Sequence, residues 1–133
     1  MVLKNTFVKC VDNTGAKVLK VLQVVGYSSS SVPGYAGDEL LVVVRHAVPN
    51  KKAKVGHKYR ALLIQSSATV RRPFGDVVRG RNLAVLLRPG EDLPLGNRIS
   101  KRYAVFKEVK AKGWTKVAQL ASKLILPVCM SLL

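Results

Sequence analysis

The chain has 133 residues, 48% of them hydrophobic, which is the length of one domain with enough apolar material for a core. With 23 Lys and Arg against 7 Asp and Glu it carries a formal charge of +16, a self-repulsion that a polyanionic partner would relieve. An aromatic content of 6% argues against a stacking platform for single-stranded bases, and two distant cysteines with two histidines argue against a disulfide framework or a zinc site.

In chain order, Met1-Val2-Leu3-Lys4-Asn5 shows neither a long apolar core nor an Arg-rich amphipathic leader. The stretch from Thr6 to Val11 predicts a short strand, and Asp12-Asn13-Thr14-Gly15 has the Asx and glycine chemistry of a turn. A second strand, rich in β-branched residues, follows from Lys17 to Val25 and ends at Gly26. The serine-rich segment from Tyr27 to Gly37 is a surface loop by composition.

From Leu40 to Gly75 the chain contains no Asp or Glu. Strands are predicted over Glu39 to Ala47 and Lys58 to Gln65, with Lys51, Lys52 and Lys54 in the turn between them. A hairpin follows over Val70 to Arg79, with Pro73 and Gly75 in its turn and Arg71 and Arg72 on its first arm. Leu83 to Leu87 is another core strand, and the Pro/Gly loop from Arg88 to Gly96 closes the β-rich part. Tyr103 to Lys112 has helical spacing with a stop at Gly113, and Trp114 to Leu126 reads as partly helical. The apolar end, Leu126 to Leu133, is too short to span a bilayer and predicts packing on a neighbour.

Five or six short strands, joined by turns and followed by a helical tail, indicate an all-β barrel, closure of which hides strand edges. The carboxylates fall mostly in turns as scattered or adjacent residues, and no phosphate-loop, zinc-protease or nucleophile-elbow motif occurs. The sequence therefore predicts no catalysis and no cofactor. An unneutralised basic run reads as a surface for structured RNA. A free regulatory or chaperone-like binder of acidic partners is the alternative from a different class.

Taken in order, Asp12-Asn13-Thr14-Gly15-Ala16-Lys17, Tyr35-Ala36-Gly37 with Asp38, Ala47-Val48-Pro49-Asn50 before the lysines, and Val70-Arg71-Arg72-Pro73 form a distinctive series. Asn82 with Ala84-Val85-Leu86-Leu87 and Gly96-Asn97-Arg98-Ile99 continue it. Across roughly Val2 to Ile125 the chain resembles the universal large-subunit ribosomal protein fourteen family. The resemblance implies a small closed five-stranded β-barrel with a β-hairpin projection and a short helical C-terminal extension, spanning residues 1–125, with 126–133 as an added tail. It also implies binding to large-subunit rRNA, to neighbouring ribosomal proteins, and to small-subunit rRNA across an intersubunit bridge.

On this resemblance the rRNA-binding residues are Lys51, Lys52, Lys54, Arg71 and Arg72, with Lys17 and Arg45 beside them. Ribosome-silencing and anti-association factors dock on the family's C-terminal surface, at positions matching Arg98 and Lys116. Three departures stand out: Gly80-Arg81 where the family usually has an aromatic and an acidic residue, the serine run, and the close spacing of Gly37-Asp38. With the tail beyond Ile125, they point to a mitochondrial ribosome, the alternatives being a bacterial cytoplasm or a plastid.

Overall fold

The computed structural model describes residues 2–26, 32–67, 70–71, 77–78, 80–100 and 103–120, with backbone alone for 70–71 and 77–78. Seven strands and two helices are described: β1 (Phe7–Cys10), β2 (Ala16–Val24), β3 (Glu39–Ala47), β4 (Lys58–Gln65), β5 (Val70–Arg71), β6 (Val77–Val78), β7 (Leu83–Leu86), α1 (Lys107–Ala111) and α2 (Thr115–Leu120). Strands β1, β2, β3, β4 and β7 close into a barrel in that order, while β5 and β6 pair separately. Neighbours in the barrel are antiparallel except at the seam, where β1 runs parallel to β7 with Cys10 opposite Ala84.

Alternation along β2 and β3 explains the barrel's inside. Leu19, Val21, Leu40, Val42 and Val44 point inward and are buried, whereas Lys20, Leu41 and Val43 between them are only half-buried. Three register shifts in the β2–β3 pairing add the local bends that closure needs. The interior cluster also includes Val8, Cys10, Ala61, Leu63, Ala84 and Leu86.

Strands β4 and β7 behave differently, because both of their faces are covered. Leu62, Ile64, Leu83 and Val85 turn outward, yet they are buried beneath Val105, Phe106, Val109 and Val117 of the C-terminal segment. Burial of Phe106 alone removes from water a side chain whose transfer is worth about 1.5–3 kcal/mol. Gly80 sits against that ring, where an added methyl would fall 2.8 Å from Phe106 Cζ. A glycine at the first position of the divergent Gly80-Arg81 pair is thus a packing requirement of this chain.

The first helix begins later than its spacing predicts, at Lys107 and not Tyr103. Tertiary hydrogen bonds hold the preceding residues outside the helix: Phe106 N donates to Ile64 O at 3.1 Å, and Gln65 Nε2 donates to Ala104 O. The far end of the extension is fastened by Trp114 Nε1 donating to Gly37 O at 3.1 Å and by Lys112 Nζ on Asp38 Oδ1 at 2.9 Å. Arg72, Pro73 and Gly75 of the hairpin, the serines from 28 to 31, Cys129 and everything after Leu120 lie outside the described residues.

Candidate nucleic-acid interface

One end of the barrel gathers most of the predicted cations. Strand β2 starts at Ala16 opposite Ala47, where β3 stops, so Lys17 and Arg45 flank the root of the β3–β4 turn. Both are exposed, as are Lys51, Lys52 and Lys54 within the turn. Among the described residues no carboxylate lies within ion-pair distance of any of the five.

The lysine turn does not project freely. Ala53, between two exposed lysines, is only 2% exposed and joins the barrel's interior cluster, so its methyl plugs the end of the barrel. Its N–H donates to Thr14 O at 3.0 Å, and Val48 N donates to Gly15 O at 2.8 Å. Asn50 takes φ 64°, a conformation asparagine tolerates better than most residues, and lets the chain reverse. Lys52 Nζ reaches Leu95 O at 3.4 Å, tying the turn to the loop after β7.

The β1–β2 turn beneath it is held by Asp12. One carboxylate oxygen accepts Thr14 Oγ1 at 2.6 Å and Cys10 Sγ at 3.0 Å, while the other accepts Leu86 N at 3.0 Å. Burial, then the nearby Asp12 charge, pushes the Cys10 thiol well above its ordinary range, consistent with a protonated Sγ–H donor. Asn13 Oδ1 accepts Asn97 N at 2.8 Å, bringing Arg98 to the same end of the molecule. Arg98 lines a groove of about 410 Å³ with Val11, Asp12, Asn13, Ile99, Ser100 and Leu120. Lys116 is exposed one helical turn before Leu120 on α2 and is not part of that lining.

The arginine hairpin is elsewhere. It leaves β4 after Gln65 and returns to β7 at Leu83, the end of these strands opposite the lysine turn. Arg71 lies on β5 opposite Val77, and its base is closed by Gly80 N donating to Ser66 O at 3.2 Å and Ser67 N donating to Asn82 Oδ1 at 3.0 Å. The predicted cations therefore fall into two groups separated by the length of β4.

Arg60 belongs to neither group, although it lies in the acid-free run. Its Nε donates to Glu39, its Nη2 meets Asp92 Oδ1 at 3.0 Å, and its Nη1 donates to Glu91 O at 3.2 Å. The hydrogen bond that Arg60 donates to Glu39, reinforced by Asp92 against the opposing effect of burial, raises the guanidinium above its ordinary pKa. No local feature of the run marks this residue, because one carboxylate precedes the run and the other is 32 residues away. Equally unmarked is the contact of Thr14 and Gly15 with the lysine turn. Among the described residues no group of three or more His, Cys, Asp or Glu converges as metal ligands would, and no helix is long and apolar enough to cross a membrane.

Residues 1–125 match the family model described as ribosomal protein L14p/L23e. The chain is similar to the large ribosomal subunit protein uL14 of Petrotoga mobilis, 35% identical over 123 residues that cover 92% of this chain and 98% of that protein. It is likewise similar to the large ribosomal subunit protein uL14 of Aquifex aeolicus, 35% identical over 127 residues that cover 94% and 100% of the two chains.

Proposed function

The chain belongs to the ribosomal protein L14p/L23e family, and from that membership we propose that it binds large-subunit rRNA through two separate basic elements. As a member of this family it is a structural, non-enzymatic constituent of the large ribosomal subunit. The observation that carries the proposal is the cluster of Lys17, Arg45, Lys51, Lys52 and Lys54 at one barrel end, exposed and without carboxylate neighbours among the described residues. Exposed cations with no carboxylate partner are available to phosphates, and each contact made releases condensed counterions. Arg71, on β5 beyond the opposite end of β4, carries the second element, with Arg72 as its neighbour in sequence.

The finer reading follows the same surface. Two basic elements at opposite ends let one small barrel join separate rRNA segments, which suits a place on the intersubunit face in contact with small-subunit rRNA and a neighbouring ribosomal protein. The groove beside Arg98, with Lys116 nearby, suits the docking of a ribosome-silencing or anti-association factor. Residues 1–125 act as one domain, and 126–133, beyond the matched region, form an apolar tail for an extra protein contact. This tail, with the serine run and Gly80-Arg81, favours a mitochondrial ribosome over a bacterial or plastid one.

Filter binding of the full chain to a large-subunit rRNA fragment over a salt series tests the central reading. The expected logarithmic plot is linear and steep; affinity indifferent to salt would sink it. Sedimentation checks the assembly. The chain should travel with large subunits, and a chain found wholly outside ribosomal particles would instead be a free binder. Fractionation of source cells decides the compartment, since recovery only with cytosolic ribosomes would remove the mitochondrial assignment.

A further inference from the structure

The three lysines of the β3–β4 turn are arranged by residues that carry no positive charge. Thr14 O and Gly15 O accept the two backbone hydrogen bonds, from Ala53 and Val48, that bracket Lys51 and Lys52. Gly15 also supports the stem of Lys51 directly. A methyl on Gly15 would fall 2.7 Å from Lys51 Cγ and closer still to its Cβ, and the residue has φ 96°, where side chains are strained. Thr14, fully buried, is fixed in turn by its hydroxyl on Asp12, whose other oxygen holds Leu86 N of the barrel wall.

We propose that Asp12, Thr14 and Gly15 are positioning residues for phosphate binding: they hold the lysine turn in its binding arrangement before the RNA arrives. This rests on the reading that the lysine turn binds rRNA. A turn already ordered on the barrel loses little conformational freedom when its lysines meet phosphates, whereas a released turn must be ordered during binding. The consequence is a division of labour. Lysines set how many counterions are released, and hence the salt slope, while the β1–β2 turn sets affinity at constant slope.

Three full-length variants separate positioning from general stability. Gly15→Ala removes both the permitted φ and the space for Lys51. Thr14→Val keeps the volume but deletes the hydroxyl bound to Asp12. Gly26→Ala is the control, because Gly26 has nearly the same φ, 95°, but a methyl there meets nothing within 4 Å. Binding to the rRNA fragment is measured over the salt series, with hydrogen exchange followed at the Val48, Ala53 and Leu63 amides.

Gly15→Ala should bind about tenfold more weakly, the scale of ordering roughly one more residue, with an unchanged salt slope and faster exchange at Val48 and Ala53. Thr14→Val should show a smaller loss, about threefold, of the same kind, for one hydrogen bond removed. Gly26→Ala should lower thermal stability and leave affinity unaltered. Wild-type affinity in either Gly15→Ala or Thr14→Val, or a slope reduced as a lysine deletion reduces it, would overturn the proposal. If the Leu63 amide of Gly15→Ala also exchanges freely, the barrel has opened and Thr14→Val decides alone. Salt-independent binding by the wild-type chain would be a failure of the underlying rRNA reading, distinct from all of these.

Discussion

Arg60 and Lys52 come from the same acid-free run of sequence and have opposite electrostatic fates. Lys52 is exposed at the barrel end and its ammonium touches only a backbone carbonyl, at 3.4 Å, among the described residues. Arg60, 29% exposed at its side chain, is clasped by Glu39 and Asp92. The difference teaches that surface charge is a property of the folded sheet. Pairing of β3 with β4 sets Leu41 against Arg60 and Leu62 against Glu39, two residues along each strand, and so carries an acid from outside the run to a cation inside it.

The strongest way to break this contrast is to delete the free cations. Lys51→Ala, Lys52→Ala and Lys54→Ala together should lower the logarithmic salt slope by about 2.7 and weaken binding to the rRNA fragment by about a hundredfold near physiological salt. The melting temperature of the isolated protein should hardly move, because exposed charges away from a core contribute little. A large loss of thermal stability with an unchanged slope would show that these lysines belong with Arg60.

How much of this could be read beforehand depends on whether its cause is local. The bounds of β3 and β4 were predicted at Glu39 to Ala47 and Lys58 to Gln65 and are observed there, since apolar runs bounded by turn residues are local signals. The five-stranded barrel was implied by the family resemblance and is the architecture observed. The second apolar cluster was hidden. In Leu62, Leu63 and Ile64 a continuous run gives no sign that alternate side chains serve two different cores, with Leu63 inside the barrel and its neighbours under Phe106. The start of α1 was set by hydrogen bonds to Ile64 and Gln65, some forty residues distant, which outweigh local spacing.

At the candidate interface the lysines were legible as a solvent-facing turn, but Ala53 between them was not legible as a core residue. Its burial comes from the way the turn folds over the barrel end, where Thr14 supplies the acceptor. Arg71 was predicted on a hairpin arm and lies on β5, and Arg72 is outside the described residues.

Arg60 offers the next sharpest test, smaller and of the opposite kind. Replacing it with alanine leaves Glu39, 19% exposed at its side chain, without its cation and should destabilise the fold by about 2 kcal/mol, between the usual values for exposed and buried pairs. The salt slope of rRNA binding should stay as in the wild type. Denaturant unfolding measures the first and filter binding the second. Arg60→Lys should recover only part of the stability, because an ammonium cannot reproduce the fork that meets Glu39, Asp92 and the Glu91 carbonyl together.

The smallest effect comes from the Cys10 thiol beside Asp12, a carboxylate that is held by hydrogen bonds and by no cation among the described residues. The partners of Asp12 among the described residues are the Thr14 hydroxyl and N–H, the Leu86 N–H and the Cys10 thiol. Because burial and Asp12 raise the thiol pKa in the folded state, the protein binds this proton more tightly folded than unfolded. The associated stability is fully present below the unfolded thiol value, about pH 8.5, and is lost as pH rises from there toward the folded value. Between pH 8 and pH 9.5 the wild type should therefore lose about 1 kcal/mol more than Cys10→Ala, in which no thiol faces Asp12. Parallel denaturation curves for the two proteins across this range would mean that the Cys10 proton is not held by the fold, and that Asp12 rests on its Thr14 and Leu86 contacts alone.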